Sequence, residues 1–157
     1  MTKTLNKDPY TQAIRWLGHR DYSEEGMTRR LRQRGYGEEV IGHTINQLVS
    51  QGWIDDAQLS RRIIERCVAT RTMGPSLIRQ RLQNQGIPCD ISDPLLVAYT
   101  DEINWLEIAE HLSERYDMNE PRERLRLGRY LVRRGFPVSV VWRLAGSDVA
   151  SGVEEEC

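Results

Sequence analysis

Lysine is nearly missing from this chain. Of its 22 basic residues, only Lys3 and Lys7 are lysines, and the other 20 are arginines. A surface kept basic for solubility alone carries more lysine. Arginine brings a planar fork of donors that suits carboxylates, phosphates and stacking at interfaces; a coding bias toward arginine is the plain alternative. An excess of positive charge is missing too. The net charge is −1, so the totals make no case for generic nucleic-acid binding. There is one Phe against four Trp and six Tyr, so the core must rest on Leu, Ile and Val, with Trp and Tyr at its margins. The three cysteines, Cys67, Cys89 and Cys157, form no CxxC pair and no His/Cys cluster. That excludes a disulfide framework and a zinc site, and fits buried free thiols plus one exposed tail thiol in a reducing compartment. His19, His43 and His111 lie far apart in the chain, without metal-ligand spacing. No apolar run approaches membrane-spanning length, and the N-terminus MTKTLNKDPYTQ has no apolar signal segment. A cytoplasmic protein without a membrane partner is expected. There is no Gly-rich phosphate loop, no Ser/His/Asp signature and no sustained period-two alternation. Neither a sheet, nor a catalytic group, nor a cofactor is expected.

What is present is a repeat. Met27, Leu31 and Gly35 are spaced by four, with Tyr36 following. Ile78, Leu82, Gly86 and Ile87 repeat the pattern, and so do Leu127, Leu131, Gly135 and Phe136. The glycines are 51 and then 49 residues apart. Apolar residues four apart share one face of a helix. A following Gly takes the left-handed conformation that ends the helix, and the next apolar residue folds back over its last turn. A second amphipathic helix then begins near Val40, Ile91 or Val140. An apolar-periodic segment also precedes each pair: Ala13, Trp16 and Leu17; Leu59, Ile63 and Cys67; Trp105, Ile108, Ala109 and Leu112. Each unit of about 50 residues therefore reads as three helices, as in helical repeat arrays.

The helix starts agree. Ser23 caps a helix opened by Glu24 and Glu25. Asp55 caps the next, with Gln58 in the reciprocal capping-box position. Pro75, Pro94 and Pro121 sit where a first-turn amide has no partner anyway. Asp55-Asp56 is the best candidate catalytic carboxylate pair, and a helix cap explains it more simply. The expected fold is all-α, an elongated array of three tandem three-helix repeats over 10–54, 55–100 and 101–146. A flexible N-terminus (1–9) and an acidic flexible tail (147–157) flank it. Helices packed 8–10 Å apart give such an array a length of roughly 60 Å.

The stretch from Gln51 to Ile87 resembles the core of the RecX family of regulatory proteins. The landmarks are the Gly52…Asp55-Asp56 turn and the Gly74…Ile78…Leu82…Gly86-Ile87 spacing. RDYSEEGMTRRLRQRGY, from Arg20 to Tyr36, and LVRRGFPVSVV, from Leu131 to Val141, fit as well. The resemblance covers residues 10–146. Gly26, Leu59 and Ser60 depart from the usual residues of that pattern and read as packing variations. The resemblance implies a protein that binds the RecA recombinase and its filament on single-stranded DNA. It implies inhibition of the recombinase's ATPase, strand-exchange and coprotease activities, hence modulation of DNA recombination, repair and the SOS response. It also implies that direct DNA binding accompanies this in some members.

The arginines give the expected contact surface. Arg122, Arg126, Arg129 and Arg133 form one helical stripe, flanked by Arg134. Arg29, Arg30, Arg32 and Arg34 surround Leu31, Arg79 and Arg81 bracket the middle core face, and Arg62 and Arg66 share a face of the preceding helix. Any single exposed arginine is ordinary, and an exposed ion pair contributes only about 0–1 kcal/mol. The same helix of all three units carries arginine, which favours a binding surface for acidic loops or phosphates. Residues 90–114 hold seven carboxylates with no Lys or Arg, a second electrostatic face. Trp16, Trp53, Trp105 and Trp142 belong to apolar segments and read as core-margin residues more readily than as base-stacking ones. A monomer making several weak, rigidly linked contacts to a filament is expected. The alternatives are a DNA-binding regulator built on helix-turn-helix-like pairs, and an adaptor for another assembly.

Overall fold

The computed structural model describes residues 8–146. The acidic tail (147–157) and most of the expected N-terminal extension lie outside the described residues. Among the described residues there are nine helices and no strand. They are α1 (Pro9–Leu17), α2 (Glu24–Gln33), α3 (Glu38–Ser50), α4 (Asp56–Ala69), α5 (Pro75–Asn84), α6 (Cys89–Thr100), α7 (Trp105–Ser113), α8 (Pro121–Arg133) and α9 (Val138–Ala145). The fold is all-α, as the apolar periodicity predicts.

The repeat glycines do what their spacing demands. Gly35, Gly86 and Gly135 have φ of 86°, 78° and 76°. Each lies two residues beyond the end of α2, α5 or α8, and three before the start of α3, α6 or α9. The amides of Tyr36, Ile87 and Phe136 turn back to the carbonyls of Leu31, Leu82 and Leu131 at 3.3, 3.2 and 3.1 Å. The glycine amides bond the carbonyls of Arg32, Gln83 and Val132 at 2.9, 2.8 and 2.9 Å. This pair of bonds is the Schellman closure, which satisfies carbonyls the helix leaves without partners. Gly52, with φ 76°, closes α3 in the same way, through Trp53 and Leu48.

The helix starts are mostly as read from the sequence. Ser23 Oγ accepts from the Gly26 amide at 3.0 Å, and Asp55 Oδ1 from the Gln58 amide at 2.9 Å. The Gln58 side chain does not close the reciprocal box; its Oε1 accepts from Arg62 at 3.4 Å. Two caps escaped the sequence reading: Asp8 on the Thr11 amide and Asn104 on the Glu107 amide. Pro75 and Pro121 open α5 and α8. Pro94 is a correction. α6 begins five residues earlier, at Cys89, and Pro94 lies inside it. It withholds the amide that would bond the Asp90 carbonyl, and both residues are exposed, so the lost bond costs little there.

The chain divides into two compact units. One runs to Arg62 and takes in Leu82–Ser92; the other comprises Ile63–Arg81 and continues from Asp93. The boundaries thus pass through α4, α5 and α6, the helices of the expected middle repeat. In the first unit α1, α2 and α3 enclose Ala13, Trp16, Met27, Leu31, Ile41 and Leu48. In the second, α7, α8 and α9 enclose Ile108, Leu112, Leu127, Leu131, Phe136 and Val141. Several side chains differ from expectation. Val40 is exposed, and its neighbour Ile41 takes the core position at 2% exposure. Trp53 and Trp142 are about half exposed, at 53% and 52%, whereas Trp16 is buried. Cys89 is exposed; of the two described thiols only Cys67 is buried.

Each unit also seats the first turn of one helix on the glycine turn of another. In the first, the Ser23 hydroxyl donates to the Gln85 carbonyl, and a Cβ on Gly86 would come within 3.0 Å of the Glu25 side chain. In the second, the Gly74 amide bonds the Arg134 carbonyl at 2.7 Å and the Ser76 amide bonds the Gly135 carbonyl at 3.2 Å. A Cβ on Gly135 would lie 2.2 Å from the Leu77 nitrogen, and one on Gly74 would lie 2.2 Å from the Gly135 oxygen. The Asp56 carboxylate, buried at 5% exposure, accepts from the Glu24 amide at 3.0 Å.

Gly135→Ala therefore meets both backbone strain and a clash. Gly52→Ala at the same φ of 76° meets strain alone, because nothing lies within 4 Å of its Cβ. Urea unfolding is expected to show a loss of about 1–2 kcal/mol for Gly52→Ala and a clearly larger loss for Gly135→Ala. Desolvation raises the Asp56 carboxyl above its ordinary pKa, against the lowering effect of the Glu24 amide; the Glu24 and Asp55 charges add to the rise. The folded chain thus holds this proton more tightly than the unfolded chain, so the contribution is stabilising at low pH and is lost as pH rises through the raised value. Asp56→Asn keeps the oxygen acceptor without the charge. Melting temperatures of the two proteins should diverge in favour of Asp56→Asn as pH goes from acidic to neutral.

Candidate partner-binding surface

The expected contact arginines fall into distinct structural roles. In the first unit, two of them, Arg30 and Arg34, stand against aromatic rings, and Arg20 joins them. The Arg30 Cζ lies 4.5 Å from the Trp16 ring centroid and 5.5 Å from that of Tyr22. Arg34 stands 5.7 Å from Trp16, and Arg20 stands 4.3 Å from Tyr22. These are cation–π distances. Trp16 and Tyr22 are each only 6% exposed, so the rings are fixed from below by the α1–α3 core. Arg29 is exposed and loosely paired with Glu25 one helical turn earlier, at 3.7 Å. Arg62 pairs with Asp21 at 3.2 Å. Arg32, beside this group, forks onto Glu38 through two bonds of 2.6 and 2.9 Å and holds that carboxyl below its ordinary pKa.

The second unit presents a different pattern. Arg122, Arg126, Arg129 and Arg133 are all exposed along α8. Their spacing of four, three and four keeps them on one side, while Leu127 and Leu131 face the core. Arg126 approaches Glu123 at 3.5 Å, and among the described residues no ion pair engages the other three. Arg66 and Arg81 are also exposed. Arg79 is tied to Asp93 at 2.9 Å, which among the described residues is where the acidic stretch pairs with the expected contact set. Elsewhere that stretch binds Arg71, through Glu107 at 3.7 Å. Arg134 turns inward: its Nε donates to the Thr72 carbonyl at 2.5 Å and its terminal nitrogen to Thr72 Oγ1 at 2.7 Å. It ties the loop before α5 to the end of α8, a task invisible at a separation of 62 residues.

Sequence reading missed Arg20. Its one local signal is the neighbouring Tyr22, and only the turn between α1 and α2 brings it beside Arg30. The histidines do not gather, and among the described residues no cluster of His, Cys, Asp or Glu is suited to a metal ion. No described helix is long and apolar enough to cross a membrane.

Fold and surface together define a helical protein that offers arginine on several separate helices. Comparison with known proteins places it more closely. Residues 10–48 match the model described as "RecX, first three-helix domain". A "Regulatory protein RecX" from Pseudomonas putida is 31% identical over 146 residues, covering 87% of this chain and 89% of that protein. Its counterpart in Syntrophotalea carbinolica is 28% identical over 87% of this chain and 93% of its own length. The relative from Geobacillus kaustophilus is longer; at 30% identity the matched region spans only 52% of it. A solved structure titled "Crystal structure of regulatory protein RecX" has 25% identity and a TM-score of 0.75, covering 87% of this chain and 70% of that one. The RecX structure from Lactobacillus salivarius shares the fold at a TM-score of 0.75 and 23% identity. The chain belongs to the RecX family of regulatory proteins.

The split between inward and outward arginines has a direct check. Arg134→Ala removes a charged donor from two part-buried bonds and should lower unfolding stability by about 1–3 kcal/mol. Arg129→Ala touches only solvent and should stay within about 0.5 kcal/mol of the parent. Equal losses in thermal unfolding would contradict this division.

Proposed function

We propose that this protein binds the RecA recombinase and its filament on single-stranded DNA and inhibits its ATPase, strand-exchange and coprotease activities. It thereby modulates recombination, repair and the SOS response in the cytoplasm, without catalysing a reaction itself. The observation that carries this reading is membership of the RecX family, at 31% identity over most of both chains. The arginines support it. Arg122, Arg129 and Arg133 of the α8 stripe, with Arg66 and Arg81, are exposed and make no ion pair among the described residues, which suits acidic side chains or phosphates; Arg126 is held only loosely, by Glu123 at 3.5 Å. We extend the same reading to the three repeats at 10–54, 55–100 and 101–146, each carrying arginine on its middle helix. Several weak contacts on one chain add up to useful filament affinity, whereas a single recombinase molecule engages few of them and is held poorly. Bound in this way, the protein obstructs closure of the recombinase around ATP or the addition of further molecules.

The test is the recombinase's DNA-dependent ATPase, titrated with this protein beside a DNA-only binding control. Inhibition in proportion to filament sites is expected. Full ATPase activity with folded protein and a cognate recombinase contradicts the reading. Tight, salt-sensitive DNA binding without recombinase favours a DNA-binding regulator instead. Arg126→Glu with Arg129→Glu should weaken inhibition at least tenfold while helix content is unchanged. Unaltered inhibition rejects α8 as the contact surface.

A further inference from the structure

One pocket of the first unit is unlike the rest of the surface. It holds about 190 Å³ and opens between the first turns of α2 and the end of α5. Arg20, Arg29 and Arg30 line it together with Ser23, Gln85 and Asn84, and no carboxylate is among the lining residues. Three guanidinium groups around one small opening repel one another unless an anion sits between them. Elsewhere in this unit two arginines have close carboxylate partners, Arg32 with Glu38 and Arg62 with Asp21. Here, among the described residues, the one carboxylate approach is that of Glu25 to Arg29, at 3.7 Å.

Two of the three groups, Arg20 and Arg30, are placed by ring contacts before any ligand arrives. Tyr22 carries Arg20 and Arg30 within 4.3 and 5.5 Å of its ring centroid, and Arg30 also lies 4.5 Å from the Trp16 ring centroid. A ring engages the face of a guanidinium and leaves its edge donors unused. One such donor is in an exceptional state: the Arg30 Nε is buried and has no hydrogen-bond partner. A charged donor removed from water without an acceptor is unfavourable, so a small rotation of Arg30 that brings it to a ligand oxygen is favoured. The nearby backbone amides are already engaged, that of Gly26 by Ser23 and that of Glu24 by Asp56. Recognition here therefore falls to the arginine side chains.

We propose that this pocket is a phosphate-binding site, in which Arg20, Arg29 and Arg30 together hold the oxygens of one phosphate group. A carboxylate is satisfied by one fork; three forks, of which among the described residues only Arg29 has a carboxylate nearby and that at 3.7 Å, suit the larger charge and the tetrahedral oxygens of phosphate. Trp16 and Tyr22 are buried and offer no ring face to a base, so recognition ends at the phosphate and is indifferent to sequence. The group comes either from free phosphate or from the backbone of a nucleic acid. The proposal does not depend on recombinase binding and is tested without it.

The test follows the arginine Nε–H signals of the whole protein by 15N NMR while inorganic phosphate, oligothymidylate without a terminal phosphate, or acetate is added. Phosphate is expected to shift Arg20, Arg29 and Arg30 saturably and ahead of the α8 arginines, with acetate at least tenfold weaker. Shifts of the same three signals by oligothymidylate, displaced by phosphate, identify a nucleic-acid backbone as the source. Shifts by phosphate alone identify the free ion. Arg29→Gln, at an exposed position, should weaken the effect at least fivefold with the fold intact. Arg30→Lys, which keeps the charge and loses the fork, should weaken it at least tenfold. Equal response to acetate, or a response shared equally with Arg122 and Arg129, or no saturation, overturns the proposal.

Discussion

The left-handed glycine that ends each middle helix is the constraint on which the rest depends. Gly35, Gly86 and Gly135 reverse the chain within two residues, so the helix that follows can lie back along the one just ended. The apolar residue behind each glycine closes the last turn, and the turn is compact enough for a neighbouring backbone to reach it. Gly86 and Gly135 have this second use. The first turns of α2 and α5 are set against them, at approaches that leave no space for a Cβ. A helix start, with its partly positive amides, is thereby brought to a helix end, with its partly negative carbonyls. Ser23 on the Gln85 carbonyl and Gly74 on the Arg134 carbonyl are the bonds that express this.

This arrangement also sorts the arginines. Where a joint needs a clamp, an arginine is drawn inward, as Arg134 is onto Thr72. Where a core is roofed by rings, arginines lie over them, as Arg30 lies over Trp16. What remains outward is carried on helices whose other face is buried, so α8 presents its stripe without mobile loops. Near-absence of lysine then has a physical sense. Stacking on Trp16 and Tyr22, and forked bonding to Glu38 and Thr72, are tasks of a planar guanidinium that an ammonium does poorly.

Much of this was legible in the residues. A positive-φ glycine after apolar residues at four-residue spacing has few other readings, and the helix boundaries followed from it closely. Ser23, Asp55, Pro75 and Pro121 announced helix starts by local chemistry alone. Pro94 misled because proline tolerated in an exposed helix resembles proline at a helix start; the real start lay at Cys89, behind Pro88. Val40 misled because two adjacent β-branched residues left the face ambiguous by one position, and Ile41 took the core. The roles of Arg134 and Arg20 were not legible, since Thr72 is 62 residues from the first and the ring beside the second is placed by the packing of α2 on α1. Trp53, in the turn after α3, and Trp142, on the outer face of α9, are about half exposed, which their apolar neighbours in sequence did not reveal.

The seating of helix starts on glycine turns is most directly tested by native-state hydrogen exchange at the Gly74 and Ser76 amides. Neither has a partner within its own helix, and both are bonded to the turn after α8. Protection comparable to that of the α8 interior is expected at both amides. Exchange at the rate of an open loop, with α8 itself still protected, would show that the joint does not hold and would contradict the account.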